Sequence, residues 1–308
     1  MNKDKIIIGS SCAIGCEVLY GLSYIFTKQA TANASSLALL GWRFLIAILV
    51  MSLLVGVGIL KINLKGKNIK PLLLVALFSP VIYFIGETVG INHTTASESG
   101  VFLACIPVAS LIASTVLLKK KPSRLQVIGI LITLVGVVLT VVAVGTTSSL
   151  SVVGYVFLLI AVVSYALYCV FVEKATDYTG VEVTYMMLVA GMIVFVILAI
   201  IEAVRNGNVG MLVKLPFYNH SFLIAILYQG IGCSVCAFFL SNVAISKIGV
   251  NRASSFIGVA TVVSIVAGAL LLKEPFSVYQ IIGAVIIIIG VYTANANGLH
   301  KKSESQED

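Results

Sequence analysis

Charged side chains inside long apolar stretches are the residues of this sequence best placed to do chemistry. Glu17, Arg43, Glu87 and Glu98 each lie within, or at the edge of, a run of apolar residues. A charge at the centre of a lipid bilayer costs about 2.5 to 3.5 kcal/mol on insertion scales, so such a residue needs a partner, water or a function. We therefore predict that these residues form ion pairs or bind protons or charged solutes.

Glu17 is the strongest candidate for a proton or cation site, because loss of water at mid-membrane favours its uncharged form. At about 1.5 Å per helical residue, Glu17 lies roughly 15 Å below the outer face, Arg43 about 10 Å and Glu87 about 6 Å. Arg43 with Glu17 or Glu87 is interpreted either as an exchangeable ion pair or as a fixed pair that orients helices. Glu98 lies near the interface, where solvation accounts for its charge.

Uncharged polar residues of the second half are candidates to line a substrate cavity. They are Tyr165, Tyr168, Gln229 and Asn242. A tyrosine has an apolar body and a polar tip, which suits a small amphipathic solute. Tyrosines near the ends of spans are also ordinary interfacial anchors, so both interpretations stay open.

No arrangement of residues is typical of metal or covalent catalysis. The three histidines, at positions 93, 220 and 300, are far apart, and neither HExxH nor GxSxG occurs. Cys233 and Cys236 lie in an apolar stretch, where free cysteine behaves as a small hydrophobe. We predict no catalytic residues, no metal, no cofactor and no enzymatic activity.

Transmembrane helices are the elements that must position these residues. Of the 308 residues, 59% are hydrophobic and 10% are charged, whereas a soluble domain has roughly 25% charged residues. A helix of roughly 20 apolar residues crosses the hydrocarbon core. We therefore predict an all-α polytopic membrane protein with ten spans. Their ranges are 6–27, 36–58, 71–91, 96–118, 125–144, 152–172, 183–201, 222–245, 253–272 and 278–294.

The connecting segments carry an asymmetric charge. Of the 20 lysine and arginine residues, Arg43 lies in a span and four fall on one side of the membrane, which leaves fifteen on the other. The excess predicts that both termini are cytoplasmic. Topology thus explains the net charge of +8, and because basic and aromatic residues are not interleaved we expect no nucleic-acid partner. The longest connection, residues 202–221, is predicted to be a loop.

An internal repeat relates the two halves of the chain. Three residues recur 154 positions later, since Gln126, Gly129 and Gly136 match Gln280, Gly283 and Gly290. The repeated unit contains five predicted helices, an odd number, so the second copy has inverted topology, a plan common in secondary transporters. We predict a first unit at 1–146, a second unit at 147–298 and a polar cytoplasmic tail at 299–308. The small residues favour close helix packing.

Short segments along nearly the whole chain carry a family resemblance. They are LYGLSYIFTK at 19–28, WRF at 42–44, GINHTTAS at 90–97, IPV at 106–108, NVA at 242–244, GVNRASSF at 249–256 and LLKEP at 271–275. In this order and at this spacing they resemble the EamA-type branch of the drug/metabolite transporter superfamily. Two positions depart from the family pattern. Lysines at 119–121 replace an expected acidic residue, and Thr261 stands where the second unit often has proline.

The resemblance implies ten helices in two inverted five-helix repeats, residence in the inner (cytoplasmic) membrane, and export of amino acids or other small metabolites. We accordingly expect a secondary transporter that exports a small metabolite, such as an amino acid, by alternating access. Its expected partners are the small-molecule substrate, the lipid bilayer and, as a candidate coupling ion, protons. Drug or cation efflux, metabolite uptake and a non-transport intramembrane role are the alternatives. Ten helices can enclose a pathway, so we expect a monomer, with a dimer as the alternative.

Overall fold

Nine apolar helical segments define the architecture within the residues that the computed structural model describes, which are 3–31, 34–94, 96–142, 151–271 and 277–296. Those residues contain helices and no strand. The segments long and apolar enough to cross a membrane are Lys3–Thr27, Ser36–Gly56, Lys70–His93, Arg124–Val142, Val152–Lys174, Gly180–Arg205, His220–Ile248, Val250–Leu271 and Val278–Asn295. The prediction of an all-α polytopic membrane protein is confirmed.

Fifteen α-helices and two wider π-helical segments make up this part of the chain. The first group is α1 (Lys3–Thr31), α2 (Ser36–Gly56), α3 (Lys70–Ala76), π1 (Leu77–Ile82), α4 (Tyr83–His93), α5 (Ala96–Ala104), α6 (Ile106–Leu117) and α7 (Arg124–Val142). The second group is α8 (Val152–Lys174), α9 (Gly180–Arg205), α10 (Val209–Tyr218), α11 (His220–Leu227), π2 (Tyr228–Ala237), α12 (Phe238–Ile248), α13 (Val250–Ser255), α14 (Gly258–Leu271) and α15 (Val278–Asn295).

The fourth predicted span, 96–118, is divided into α5 and α6. The break falls at Cys105, two residues before Pro107. Proline has no N–H to donate and disfavours helical geometry in the residue before it, so a helix ends near this point. Each piece is shorter than the helices that qualify as spans, and the count of ten spans stays a prediction.

The connection between α9 and α11 is more helical than the sequence indicates. Residues 202–221 were expected to form a loop, but α9 continues to Arg205 and α10 occupies Val209–Tyr218. Trp42 Nε1 donates to the carbonyl of Leu212 at 3.0 Å, which fixes α10 against α2. The prediction of a loop is wrong for most of these residues, because α9 extends into the segment and a tertiary contact stabilises the short apolar helix α10.

Matching capping boxes begin the two helices that contain the repeated glycines. Ser123 and Gln126 exchange hydrogen bonds of 3.0 and 3.2 Å at the start of α7. Ser277 and Gln280 do the same at the start of α15, at 2.8 and 3.2 Å. Each box satisfies two N–H groups that the first helical turn leaves free. The repeated glutamine thus has a local structural role in both halves.

Six helix pairings hold the bundle together. Helix α1 packs on α12 and α14, α8 packs on α4 and α6, and α2 packs on α9. Helices α7 and α15 pack closely along their length. A Cβ atom added to Gly136 would lie 2.8 Å from the carbonyl oxygen of Gly283, and one added to Gly290 would lie 2.7 Å from that of Gly129. The pair is therefore antiparallel, and its glycines permit backbone contact.

Candidate functional site

A small cavity beside Glu17 lies where α1, α8, α12 and α13 meet. Its lining residues are Ala13, Cys16, Glu17, Tyr165, Cys169, Ser241, Ala244, Ile245, Ala253 and Ser254. The space open to the centre of a water molecule is about 10 Å³, which is room for roughly one water. The cavity is therefore too small for any molecule much larger than water.

Glu17 is buried in the wall of this cavity without a polar contact. Its exposed fraction is 6%, and among the described residues it makes no hydrogen bond or ion pair. Removing a carboxylate from water without compensation is costly, so Glu17 needs a proton, a cation or water. The structure thus places Glu17, the strongest candidate from the sequence, at a cavity where its carboxyl group can bind a proton, a cation or water.

Arg43 contacts aromatic rings and a serine instead of a carboxylate. Its Nε donates to Ser234 Oγ at 2.6 Å, and the guanidinium carbon lies 4.8 Å from the centroid of the Phe84 ring. No ion pair joins Arg43 to Glu17 or Glu87 in the described part of the structure. The predicted pair, fixed or exchangeable, is absent from this conformation, because the aromatic side chains of α2, α4 and α12 surround the guanidinium.

The other two carboxylate candidates have different surroundings. Glu87 accepts a hydrogen bond of 2.7 Å from the hydroxyl of Tyr83, one helical turn earlier in α4. Glu98 lies in α5, and its side chain falls outside the described residues. The structure therefore brings Glu87 to a tyrosine and leaves the interpretation of Glu98 as a solvated residue a prediction.

The four uncharged candidates do not form one cavity wall. Tyr165 lines the cavity and contacts the rings of Tyr83 and Tyr168, with centroid distances of 5.4 and 5.3 Å. Tyr168 is buried, and its hydroxyl donates to Asn242 Oδ1 at 2.8 Å. Asn242 Nδ2 in turn donates to Thr184 Oγ1 at 2.9 Å. Tyr168 and Asn242 thus join α8, α9 and α12, and neither lines the cavity.

Gln229 connects π2 to α1 away from the cavity. Its Nε2 donates to Thr27 Oγ1, and to the carbonyl oxygen of Ser23 at 3.4 Å. Its Oε1 is buried without a hydrogen-bond partner among the described residues. Gln229 therefore has an unused acceptor within the bundle.

Two ion pairs that the sequence did not predict tie connections on the lysine-rich side of the bundle. Lys67, in the segment after α2, pairs with Glu182 at the start of α9, with 3.0 Å between Nζ and Oε1. Lys120 pairs with Glu173 at the end of α8. Glu173 also accepts a hydrogen bond of 2.7 Å from the backbone N–H of Val250. Such pairs join positions over 50 residues apart, and no periodicity in the sequence indicates them.

Comparison with known proteins identifies similar chains along nearly the full length. The model of the EamA-like transporter family matches residues 7–142 and 152–296. The uncharacterized transporter YcxC of Bacillus subtilis is 32% identical over 294 residues, which cover 95% of this chain and 94% of YcxC. The uncharacterized transporter YyaM of the same species is 25% identical and covers 92% of each chain. A protein crystal structure with 17% identity aligns over both whole chains with a TM-score of 0.73, which shows the same fold.

Proposed function

This chain belongs to the EamA-like transporter family, and from that premise we propose that it exports a small metabolite, such as an amino acid, across the cytoplasmic membrane by alternating access. The observation that carries the proposal is Glu17, a buried carboxyl group in the wall of a cavity between packed helices that has no partner among the described residues. A residue that is expensive to keep in a membrane interior usually marks a substrate or ion pathway.

Two inverted five-helix units, at 1–146 and 147–298, are the second part of the proposal. In the proposed repeat, α1 is equivalent to α8 and α4 is equivalent to α12. Exchanging equivalent helices therefore converts the α1–α12 contact into the α8–α4 contact, and both contacts are present. The same exchange turns the contact of α1 with α14 into that of α8 with α6, and these are present too. The antiparallel pairing of α7 with α15 maps onto itself. These pairings support an inverted repeat around a central site, as in many secondary transporters.

The cytoplasmic face of the occluded bundle is the side that the two ion pairs close. The excess of basic residues in the connections supports placing both termini, Lys67 and Lys120 in the cytoplasm. Opening to that side requires the segments held by Glu173 and Glu182 to separate. The transport cycle then consists of breaking these contacts, loading the solute, and closing them again as the opposite face opens.

The same geometry supports proton coupling through Glu17 as part of the proposal. The carboxyl group has no fixed cation to neutralise it among the described residues, so binding a proton removes its charge in the occluded state. Releasing that proton to water when the cavity opens would link solute movement to a pH gradient. A cationic drug is the second candidate solute, since Glu17 and the Tyr165 ring line the same cavity.

Efflux from proteoliposomes tests the proposal. Vesicles containing the purified chain are loaded with amino acids, nucleobases, vitamins or cationic dyes, and efflux is followed with and without an imposed pH gradient. We expect saturable efflux of one class and acceleration by the gradient. Glu17→Gln should abolish the acceleration, whereas Asp177→Asn, the same change in the exposed connection before α9, should preserve it.

Each other outcome of this experiment has a definite meaning. Unchanged acceleration in the Glu17→Gln protein would overturn proton coupling through Glu17 and leave export standing. Transport of dyes alone would replace metabolite export with drug efflux. No movement of any solute by folded, reconstituted protein would overturn the transport proposal and favour a non-transport intramembrane role.

A further inference from the structure

The guanidinium of Arg43 has more hydrogen-bond donors than the protein around it satisfies. The side chain is buried, with an exposed fraction of 6%. Its Nε is used by Ser234, but Nη2 is buried and finds no acceptor in the described ranges of the chain. Guanidinium carries five N–H donors and keeps its positive charge. The outer end of the guanidinium fork therefore carries a positive charge that no carboxylate of the described residues contacts as an ion pair.

Aromatic rings surround this fork and supply no acceptor oxygen. The guanidinium carbon lies 4.8, 5.6 and 5.9 Å from the ring centroids of Phe84, Phe44 and Phe238. The rings belong to α4, α2 and α12, so they come from both proposed units. Ring faces attract a cation but cannot accept the in-plane N–H bonds of guanidinium. The site therefore combines a buried positive charge with apolar walls.

Resting on the proposed function, we infer that Arg43 binds the carboxylate group of the transported solute, and that the solute is a carboxylate with an apolar or aromatic remainder. An arginine fork binds carboxylate through two parallel hydrogen bonds, which fix orientation as well as energy. The bond from Nε to Ser234 holds the fork in one orientation and leaves its end-on edge, Nη1 and Nη2, for the ligand. The rings of Phe84 and Phe238 then contact the apolar part.

The energetic argument is that the solute supplies what the protein lacks. A buried charge without a counter-ion is costly, and neutralising it offsets that cost. The nearest acidic candidate on α4, Glu87, accepts from Tyr83 and forms no ion pair with Arg43 in the described structure. A solute without a carboxylate would leave Arg43 unpaired, so amines and neutral solutes are expected to bind more weakly than acids of the same shape.

A purely structural arginine is the competing explanation. Stacked on three rings, Arg43 also holds α2 against α4 and α12. Both roles predict lower thermal stability when Arg43 is removed, so stability cannot distinguish them. Only a binding role predicts that the protein distinguishes a carboxylate from the isosteric neutral amide.

The test measures this discrimination with matched ligand pairs. Binding of L-phenylalanine and L-phenylalaninamide, L-leucine and L-leucinamide, and benzoate and benzamide is measured by calorimetry on the purified full-length protein, with phenethylamine as the amine without a carboxylate. We expect at least one acid to bind and its amide to bind about 10- to 100-fold more weakly. Arg43→Gln should remove the difference between acid and amide.

Further variants distinguish the effects of the charge of Arg43, of its planar shape and of misfolding. Arg43→Lys keeps a charge without the planar fork, and should reduce acid binding by about tenfold while keeping some preference for the acid. Ser234→Ala removes the acceptor for Nε and should reduce the preference several-fold even if Arg43→Gln does not fold. Arg205→Lys and Arg205→Gln, at the exposed end of α9, make the same changes away from the site and should leave the preference intact.

The two proposals fail in different ways. Equal binding of acids and amides by the unmodified protein, binding of phenethylamine alone, or no binding of any acid would overturn the role of Arg43. Efflux of neutral or cationic solutes from the same preparation would then leave the transport proposal standing. Absence of efflux for every solute would overturn transport itself, whatever Arg43 binds.

Discussion

The Nζ atom of Lys67 lies 3.0 Å from Oε1 and 3.1 Å from Oε2 of Glu182, and this pair closes a short network across two connections. Oε1 of Glu182 also accepts from the backbone N–H of Asn63 at 3.0 Å, and Oε2 accepts from that of Thr179 at 2.8 Å. The side chain of Glu182 is only 2% exposed, against 29% for Lys67. One carboxylate thus caps α9 and holds the segment before α3.

Glu182→Gln is expected to loosen the face of the bundle that carries the lysine-rich connections, which the proposed topology places in the cytoplasm. The amide keeps its shape but loses the ionic attraction to Lys67, which we expect to shift the population toward the open state by 5- to 30-fold, or about 1 to 2 kcal/mol. Cys16, which lines the cavity, should then react faster with a membrane-impermeant maleimide in inside-out vesicles, in a protein with its other cysteines replaced. The rate constant of labelling is the measurement.

Asp177→Asn is the matched control for this change, because Asp177 is exposed in the connection that precedes α9. It should leave the labelling rate of Cys16 unchanged. Equal labelling in the Glu182→Gln protein and the unmodified protein would show that the pair does not hold this face of the bundle closed.

Glu173 and Lys120 should contribute unequally, although they form one ion pair. The side chain of Lys120 is 58% exposed and that of Glu173 12%. An exposed pair contributes about 0 to 1 kcal/mol, so Lys120→Gln should change the free energy of unfolding by less than about 1 kcal/mol. Glu173→Ala also leaves the N–H of Val250 without its acceptor, and should cost about 1 to 3 kcal/mol.

Thermal unfolding in one detergent compares these two variants directly. A larger loss in Lys120→Gln than in Glu173→Ala would contradict the assignment of the stability to the backbone hydrogen bond. Equal losses would indicate that the ion pair, rather than Val250, holds the end of α8.

The sequence predicts most of the fold because lipid imposes simple rules. The predicted span 152–172 and the observed helix Val152–Lys174 nearly coincide, since every backbone group in the membrane needs a helical partner. The position of Glu17 near the middle of α1 also follows from counting residues. The pairing of Arg43 with Ser234 does not, because apolar periodicity in a wholly apolar helix does not indicate which face meets which neighbour. The break at Cys105 and the helix α10 depend likewise on local chemistry and tertiary contacts.

Alanine at the repeated glycines should destabilise the bundle. A Cβ atom at Gly136 would lie 2.8 Å from both the carbonyl oxygen of Gly283 and the backbone nitrogen of Ile287. Backbone atoms cannot move aside as a flexible side chain does, so α7 and α15 must separate. We expect Gly136→Ala to cost about 1 to 3 kcal/mol or more, as overpacking does in other cores.

Gly210→Ala is the control, because nothing lies within 4 Å of a Cβ atom added there. Alanine favours a helix over glycine by roughly 1 kcal/mol, so this variant should be neutral or stabilising. The measurement is the unfolding temperature of both variants in the same detergent. An unfolding temperature for Gly136→Ala equal to that of the unmodified protein would contradict close contact between α7 and α15.

Tyr168→Phe and Tyr165→Phe should separate a structural hydroxyl from a cavity hydroxyl. The Tyr168 hydroxyl donates to Asn242, whose amide group is itself bonded to Thr184, so its removal leaves a buried acceptor without this donor. Hydrogen bonds within membrane helix bundles contribute about 0.6 kcal/mol on average and up to about 1.7 kcal/mol. Tyr168→Phe should lower the free energy of unfolding by that amount.

Tyr165, which lines the cavity, makes no hydrogen bond through its hydroxyl to any described residue. Tyr165→Phe should therefore leave the free energy of unfolding unchanged and alter the concentration dependence of efflux. If both variants lose the same free energy of unfolding and show the same concentration dependence of efflux, Tyr165 is a packing residue and the cavity is not the path of the solute.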